Sequence, residues 1–241
     1  MRRIAYLILL AACCGAILQS SAAASPVYGD NPNPVLFPKQ SHPFGADLAT
    51  WADRESRWAY AQPLAHNPVL DQTGADCDVD QEGPVWFLPR IAGPKVFSGT
   101  RTCTIPAHEA VFLEIGAYVD PYPCPDPGFH PAPGQSLYDF LIADAGAFMD
   151  GVNRLEVSLD GQAFSDVLGY RFHSEALFSL TGDLSLQQTF DPCITGSPQP
   201  AIVDGFFMMF KPLEPGSHII RVFGTDVRGA NKTYTYVLDV E

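Results

Sequence analysis

Twenty-two prolines are spread through this 241-residue chain, and they limit what it can fold into more than any other feature. Each proline removes a backbone donor and holds the residue before it extended. Long helices are therefore confined to a few windows. Residues 25–45, with Asn31-Pro32-Asn33-Pro34, Pro38 and Pro43, read as an extended lead segment without its own core. Residues 120–133 hold six prolines and Cys124 and read as a long loop.

Two windows keep a helical period. The first is 48–62, where Thr50 and Asp53 form a candidate capping pair, Asp53 and Arg57 sit four apart, and Pro63 stops the run. Trp51 and Trp58, seven apart, fall on one face of that helix. The second is 136–149, with Leu137, Phe140, Leu141, Ala145, Phe148 and Met149 at helical spacing.

The remaining apolar segments read as strands: 84–88, 95–98, 101–105, 110–119, 154–159, 167–172, 176–180, 202–210, 218–224 and 233–240. Asp160-Gly161 after the fifth of these is a hairpin signal. In the last, Tyr234, Tyr236, Leu238 and Val240 alternate with Thr235, Val237 and Asp239, the period of a half-buried strand. Many strands at spacings near a dozen residues, with about two short helices and long Pro-rich loops, predict a mainly β protein. The expected fold is an antiparallel β-sandwich, jelly-roll or Ig-like. It occupies residues 46–241 as one domain, or as two tightly packed sub-domains divided near 150.

The first 24 residues have the layout of a cleavable export signal. Arg2 and Arg3 precede an apolar run over 4–18, and Ser20-Ser21-Ala22-Ala23-Ala24 supplies the small residues of a cleavage site. The run is short for spanning a bilayer, which takes roughly 20 residues, and no later segment is long and apolar enough to do so. Leu10-Ala11-Ala12-Cys13 also fits a lipobox, giving a second reading in which Cys13 carries a lipid anchor. The expected location is thus secreted or periplasmic, with a lipoprotein as the alternative. Without the two leader arginines, 12 of the 14 basic residues remain against 27 acidic ones, a net charge near −15. Nucleic acid and anionic membrane surfaces need a basic face, so that balance argues against both.

Cys77, Cys103, Cys124 and Cys193 remain after the leader, and an even count in an exported chain reads as disulfides. Three pairings exist. Cys77–Cys103 with Cys124–Cys193 is preferred, because each joins neighbours along the chain. No spacing is C-x-x-C, which leaves zinc and thioredoxin-type chemistry without support.

Several segments resemble a group of exported bacterial proteins of unknown function. They are Trp51 with Trp58, Asn67-Pro68-x-x-Asp71-x-x-Gly74-x-x-Cys77, Gln81-x-Gly83-Pro84-Val85-Trp86-Phe87-Leu88 and Arg101-x-Cys103-x-Ile105-Pro106. Tyr170-Arg171, Asp204-Gly205 and Leu213-x-Pro215-Gly216-x-His218 extend the likeness to the tail. The resemblance implies the export route and the Cys77–Cys103 pairing, and it implies no activity. His108-Glu109 departs from the pattern, and Cys124 and Cys193 look like additions of this chain.

Residues that could carry chemistry are few. Asp71, Asp76, Asp78 and Asp80 cluster around Cys77 and could hold a structural calcium, although the spacing is not that of an EF-hand and a solvated acidic loop is the plainer reading. No other cofactor is indicated. Trp51, Trp58 and Trp86 are candidates for stacking on a glycan, against a plainer reading as core residues. Arg101 and Arg171, each in a predicted strand, are candidates for gripping an anion, against a structural ion-pair reading. Glu114, in an apolar strand, is the carboxylate whose neighbours would raise its pKa, against an equal reading in which it points outward on an alternating strand. The six histidines are scattered, and there is no G-x-S-x-G elbow or H-E-x-x-H. The reading that follows is a non-catalytic extracellular or periplasmic binding module for a glycan or protein partner. The alternatives are a secreted hydrolase or lyase using carboxylates with His or Arg, and a structural cell-surface component.

Overall fold

The computed structural model describes residues 33–241. The leader, Cys13 and the first part of the lead segment lie outside the described residues.

Two five-stranded sheets carry the fold. The first contains β1 (Val85–Leu88), β3 (Ala110–Pro121), β8 (Gln199–Phe210) and β6 (Arg171–His173), in that order, with β7 (Phe178–Leu180) also on β8. The second runs β2 (Val96–Ile105), β10 (Asn231–Val240), β9 (Gly216–Asp226), β4 (Val152–Leu159) and β5 (Gln162–Ala163). Alternate residues of β10, Tyr234, Tyr236, Leu238 and Val240, are buried with Leu88, Val111, Leu113 and Phe210 of the first sheet in one apolar cluster. That is the period-2 face read from the sequence.

The other face of the first sheet is covered too. Helix α1 (Leu48–Ala61) lays Trp51, Ala52 and Trp58 on Phe87, Phe112, Phe207 and Met209. β8 is therefore buried on both faces for nearly its whole length, which fits the consecutive apolar residues 201–203 and 206–210 on either side of Asp204-Gly205. Helix α2 (Leu137–Met149) packs Leu141 and Ala145 against Ile202 of β8. Its N-cap Ser136 accepts from the Asp139 amide.

The antiparallel expectation is corrected: both sheets are mixed. The chain passes from β1 to β2 in the opposite sheet and back to β3, so β1 and β3 run parallel, as do β2 and β10. Smaller corrections have local causes. The helix α1 is capped by Asp47, which accepts from the Thr50 amide at 2.7 Å, and not by Thr50 with Asp53. Gly99 does not break β2. It makes room for the Phe97 ring, which an added Cβ would meet at 2.7 Å. The 167–172 segment is a helical turn, Val167–Tyr170, before the short β6. The Asp160-Gly161 hairpin between β4 and β5 is present, with both residues at positive φ as a type I′ turn requires.

Residues on both sides of 150 belong to one compact unit. Leu36 of the lead segment is fully buried and bridges Phe210 of β8. Two disulfides are formed, Cys77–Cys103 and Cys124–Cys193. No helix among the described residues is long and apolar enough to cross a membrane.

Candidate functional site

The β9–β10 turn is fastened on two sides, and a cleft of about 400 Å³ opens between the fastenings. On one side Arg228 donates from Nη1 to the Phe148 carbonyl at the end of α2 (2.6 Å), and Val227 donates to the Gly151 carbonyl (2.9 Å). On the other, Lys232 Nζ donates to the Gly93 carbonyl at 2.6 Å and the Asn231 amide to that of Lys95 at 2.8 Å. The cleft wall comes from Ile115, Met149, Leu155, Phe206 and Val222. β3 carries a bulge between Glu114 and Gly116 here, the kind of irregularity that bends a strand and re-aims its side chains. Gly116 lines the cleft, and a Cβ added to it would meet nothing within 4 Å.

Four charged residues line this cleft: Arg90, Asp226, Arg228 and Lys232. Arg228 is paired with Asp226 at 2.7 Å and lies over the Phe148 ring, 3.6 Å from its centroid. Arg90 is paired with the buried Glu114 at 2.5 Å. Lys232 has no carboxylate partner among the described residues. Burial and the neighbouring Arg90 both lower its pKa. Tyr234, two residues on along β10, shares its strand face. Its ring is 4 % exposed and lines the cleft, and its hydroxyl makes no hydrogen bond among the described residues. Burial pushes the Tyr234 phenol up to about 12, so it is a donor at neutral pH.

Behind Arg90 lie two buried carboxyls, Glu114 of β3 and Glu55 of α1. Glu114 is neutralised by Arg90, and the group driven well above its ordinary pKa is Glu55 of α1, by burial first and by the charge of Glu114 second. Glu55 is 3 % exposed and its Oε1 has no hydrogen-bond partner among the described residues. A neutral acid is the form that such a position tolerates at least cost.

The residues singled out from sequence sit elsewhere. Trp51, Trp58 and Trp86 are 5 %, 9 % and 6 % exposed, so none offers a face for a sugar to stack on, and the platform expectation is corrected. The Trp51 and Trp58 indoles donate to the Pro43 and Val79 carbonyls at 3.0 and 2.9 Å, and both rings meet Phe87. They dock α1 onto the sheet. Trp86 lies in the core between the sheets. Arg101 is buried and donates to the carbonyls of Pro89, Pro68 and Asp71. Arg171 grips Asp204 through Nε and Nη2 at 2.8 and 2.7 Å, and reaches Asp150 with Nη1. It ties β6 to β8 and to the end of α2. Asp71 accepts from the amides of Thr73, Gly74 and Asp76 and so shapes its own loop. Asp76 meets His66 at 2.9 Å, and Asp78 and Asp80 are exposed. Among the described residues no three His, Cys, Asp or Glu side chains are placed to hold a metal ion. The signal that could have located the cleft was Lys232-x-Tyr234, a cation and a phenol on the inward face of a strand.

A second acidic pair has a consequence for stability. Asp120 of β3 is 5 % exposed, and burial, then the charge and hydrogen bonding of Asp144, push its pKa up to about 8. In the unfolded chain it ionises near 3.8. Between these values the folded state holds a proton that the unfolded state has lost, so stability falls as pH rises across that window. The effect is on the order of a few kcal/mol. Asp120→Asn is expected to flatten the slope and to raise the urea midpoint at pH 8 while changing it little at pH 4. An unchanged slope between those two pH values would refute the assignment.

No family model matches the chain, and no curated protein matches it. A solved structure titled "Structure of PbICP-C in complex with falcipain-2" is similar at 12% identity over 66% of this chain and 100% of that one, with a TM-score of 0.22. That superposition is too low to carry an argument.

Proposed function

We propose that this is an exported, non-catalytic binding module of β-sandwich type, acting in an extracellular or periplasmic space, and that its ligand seat is the cleft beside the β9–β10 turn. The observation that carries the reading is the cleft itself: an apolar-walled space of about 400 Å³, within the usual range of small-ligand sites, held open by a bulge and a glycine. The two disulfides accord with an oxidising location. Polymer hydrolysis by carboxylates calls for two facing acids. The one carboxylate lining this cleft, Asp226, is paired with Arg228. Asp71, Glu114, Arg101 and Arg171 do not line it. The buried indoles favour a small ligand over an extended sugar chain.

The test is occlusion. The native protein is expected to take up a neutral fluorescent probe, N-phenyl-1-naphthylamine, saturably at one site. Gly116→Leu, which places a side chain in open space, is expected to weaken that uptake by at least about tenfold, 1.4 kcal/mol. Phe148→Ala, which removes an exposed wall of the cleft, is expected to weaken it too, with the melting temperature little changed. Absence of saturable uptake, or uptake indifferent to both substitutions, would overturn the proposal.

A further inference from the structure

Resting on that reading of the cleft, we infer that its ligand is an amphipathic monoanion: a carboxylate carried on an unbranched apolar chain, with the carboxylate at Lys232 and Tyr234 and the chain along the inner wall. The argument is one of charge and of unused donors. The four charges lining the cleft do not cancel. Asp226 neutralises Arg228, and Glu114 neutralises Arg90 from behind, so Lys232 is left as a single positive charge. In a chain that carries 27 acidic residues, a cation without a carboxylate partner, half-buried in an apolar cleft, calls for a counter-ion. One net charge is matched by one carboxylate and exceeded by a phosphate dianion.

The donors are in place for such a group. Lys232 uses one N–H on the Gly93 carbonyl and, as an ammonium, has two more. Tyr234, on the same strand face, is 4 % exposed as a residue and lines the cleft, and its hydroxyl has no hydrogen-bond partner among the described residues. The hydroxyl is thus an unused donor at the cleft, and a bound carboxylate oxygen would accept from it. Arg90 is close enough to influence both Lys232 and Tyr234 electrostatically. The lowered pKa of Lys232 accords with this geometry, since an anion beside it would offset the burial and the Arg90 repulsion that disfavour its charged form.

The rest of the cleft suits a chain. Ile91, Ile115, Met149, Leu155, Phe206 and Val222 offer no hydrogen-bonding side chain. Phe148, an apolar side chain of the cleft lining, is 41 % exposed. A tail entering past it would cover apolar surface that otherwise faces water.

Calorimetric titration of the purified mature protein tests this with four probes of one chain length, each below its micelle concentration. Dodecanoate is expected to bind at one site, with affinity rising roughly fourfold per methylene from octanoate. Dodecanol and dodecyl phosphate are expected to bind at least about tenfold more weakly, and dodecyltrimethylammonium more weakly still. Lys232→Gln, at a half-buried position, is expected to abolish the preference for dodecanoate over dodecanol, read as the ratio of the two affinities on the same variant. Tyr234→Phe is expected to reduce dodecanoate affinity by roughly three- to tenfold. If dodecanol binds the native protein as tightly as dodecanoate, or if Lys232→Gln keeps the preference, the carboxylate assignment is wrong. If in that case Gly116→Leu still removes dodecanol binding, the cleft remains the ligand seat. If no probe binds the native protein, both the assignment and the seat are overturned.

Discussion

Replacing Cys124 and Cys193 together by serine is expected to destabilise the folded protein by about 4.4 kcal/mol, and replacing Cys77 and Cys103 by about 3.5 kcal/mol. The difference follows from the chain length each bridge closes: 69 residues for the first and 26 for the second. In the chain-entropy treatment a cross-link acts by restricting the unfolded state, and the restriction grows with the logarithm of the loop. Position matters as well. Cys124 lies in the proline-rich stretch after β3 and Cys193 in the segment leading to β8, so the bridge encloses α2 and β4 to β7. That part of the chain supplies one lip of the cleft. For a domain of this size the larger loss corresponds to a fall in melting temperature of roughly 10–15 °C. Urea unfolding of each double variant, beside the native protein with and without reductant, measures both quantities. A loss below about 1 kcal/mol for the Cys124–Cys193 variant would show that the loop is already held by its packing.

What the sequence disclosed depended on how local the signal was. The Asp160-Gly161 hairpin, the α2 boundaries and the inward face of β10 are written in neighbouring residues, and each is found where the pattern puts it. Parallel pairing is not local. Paired residues of β2 and β10 lie 135 positions apart, as with Cys103 opposite Leu238, and nothing in either segment announces its partner. Gly99 shows a related failure. Read alone it looks like a strand break, and only the Phe97 ring lying over it explains the missing side chain. The same limit applied to charge. Glu114 stands out in an apolar strand, but Glu55, whose pKa burial drives upward, sits in an ordinary-looking polar turn of a helix. The cleft was illegible because its lips come from the end of α2, the segment after β1 and the β9–β10 turn, three places far apart in the chain.

Arg101→Ala is expected to cost about 3–5 kcal/mol, from buried carbonyls left without a donor and the lost packing of a long buried side chain. The side chain is 1 % exposed. It projects from β2 beside Tyr236 of β10, its partner in register. Nη1 reaches the Pro89 carbonyl at 3.1 Å, while Nη2 serves the carbonyls of Pro68 and Asp71. Two separate loops are thereby pinned to the second sheet by one guanidinium. Pro89 would keep the Tyr236 hydroxyl as a donor at 3.1 Å, so the carbonyls of Pro68 and Asp71 are the acceptors left unsatisfied, at a desolvation cost of about 1–3 kcal/mol each. Lysine would retain the charge without the planar fork, so Arg101→Lys is expected to recover part of the loss and not the whole. The experiment separates two uses of a buried arginine. If Arg101 braces loops, urea unfolding shifts strongly in both variants while dodecanoate affinity of the folded fraction is unchanged. If it grips an anion, Arg101→Ala lowers ligand affinity with stability altered by less than about 1 kcal/mol, and the bracing role assigned here fails.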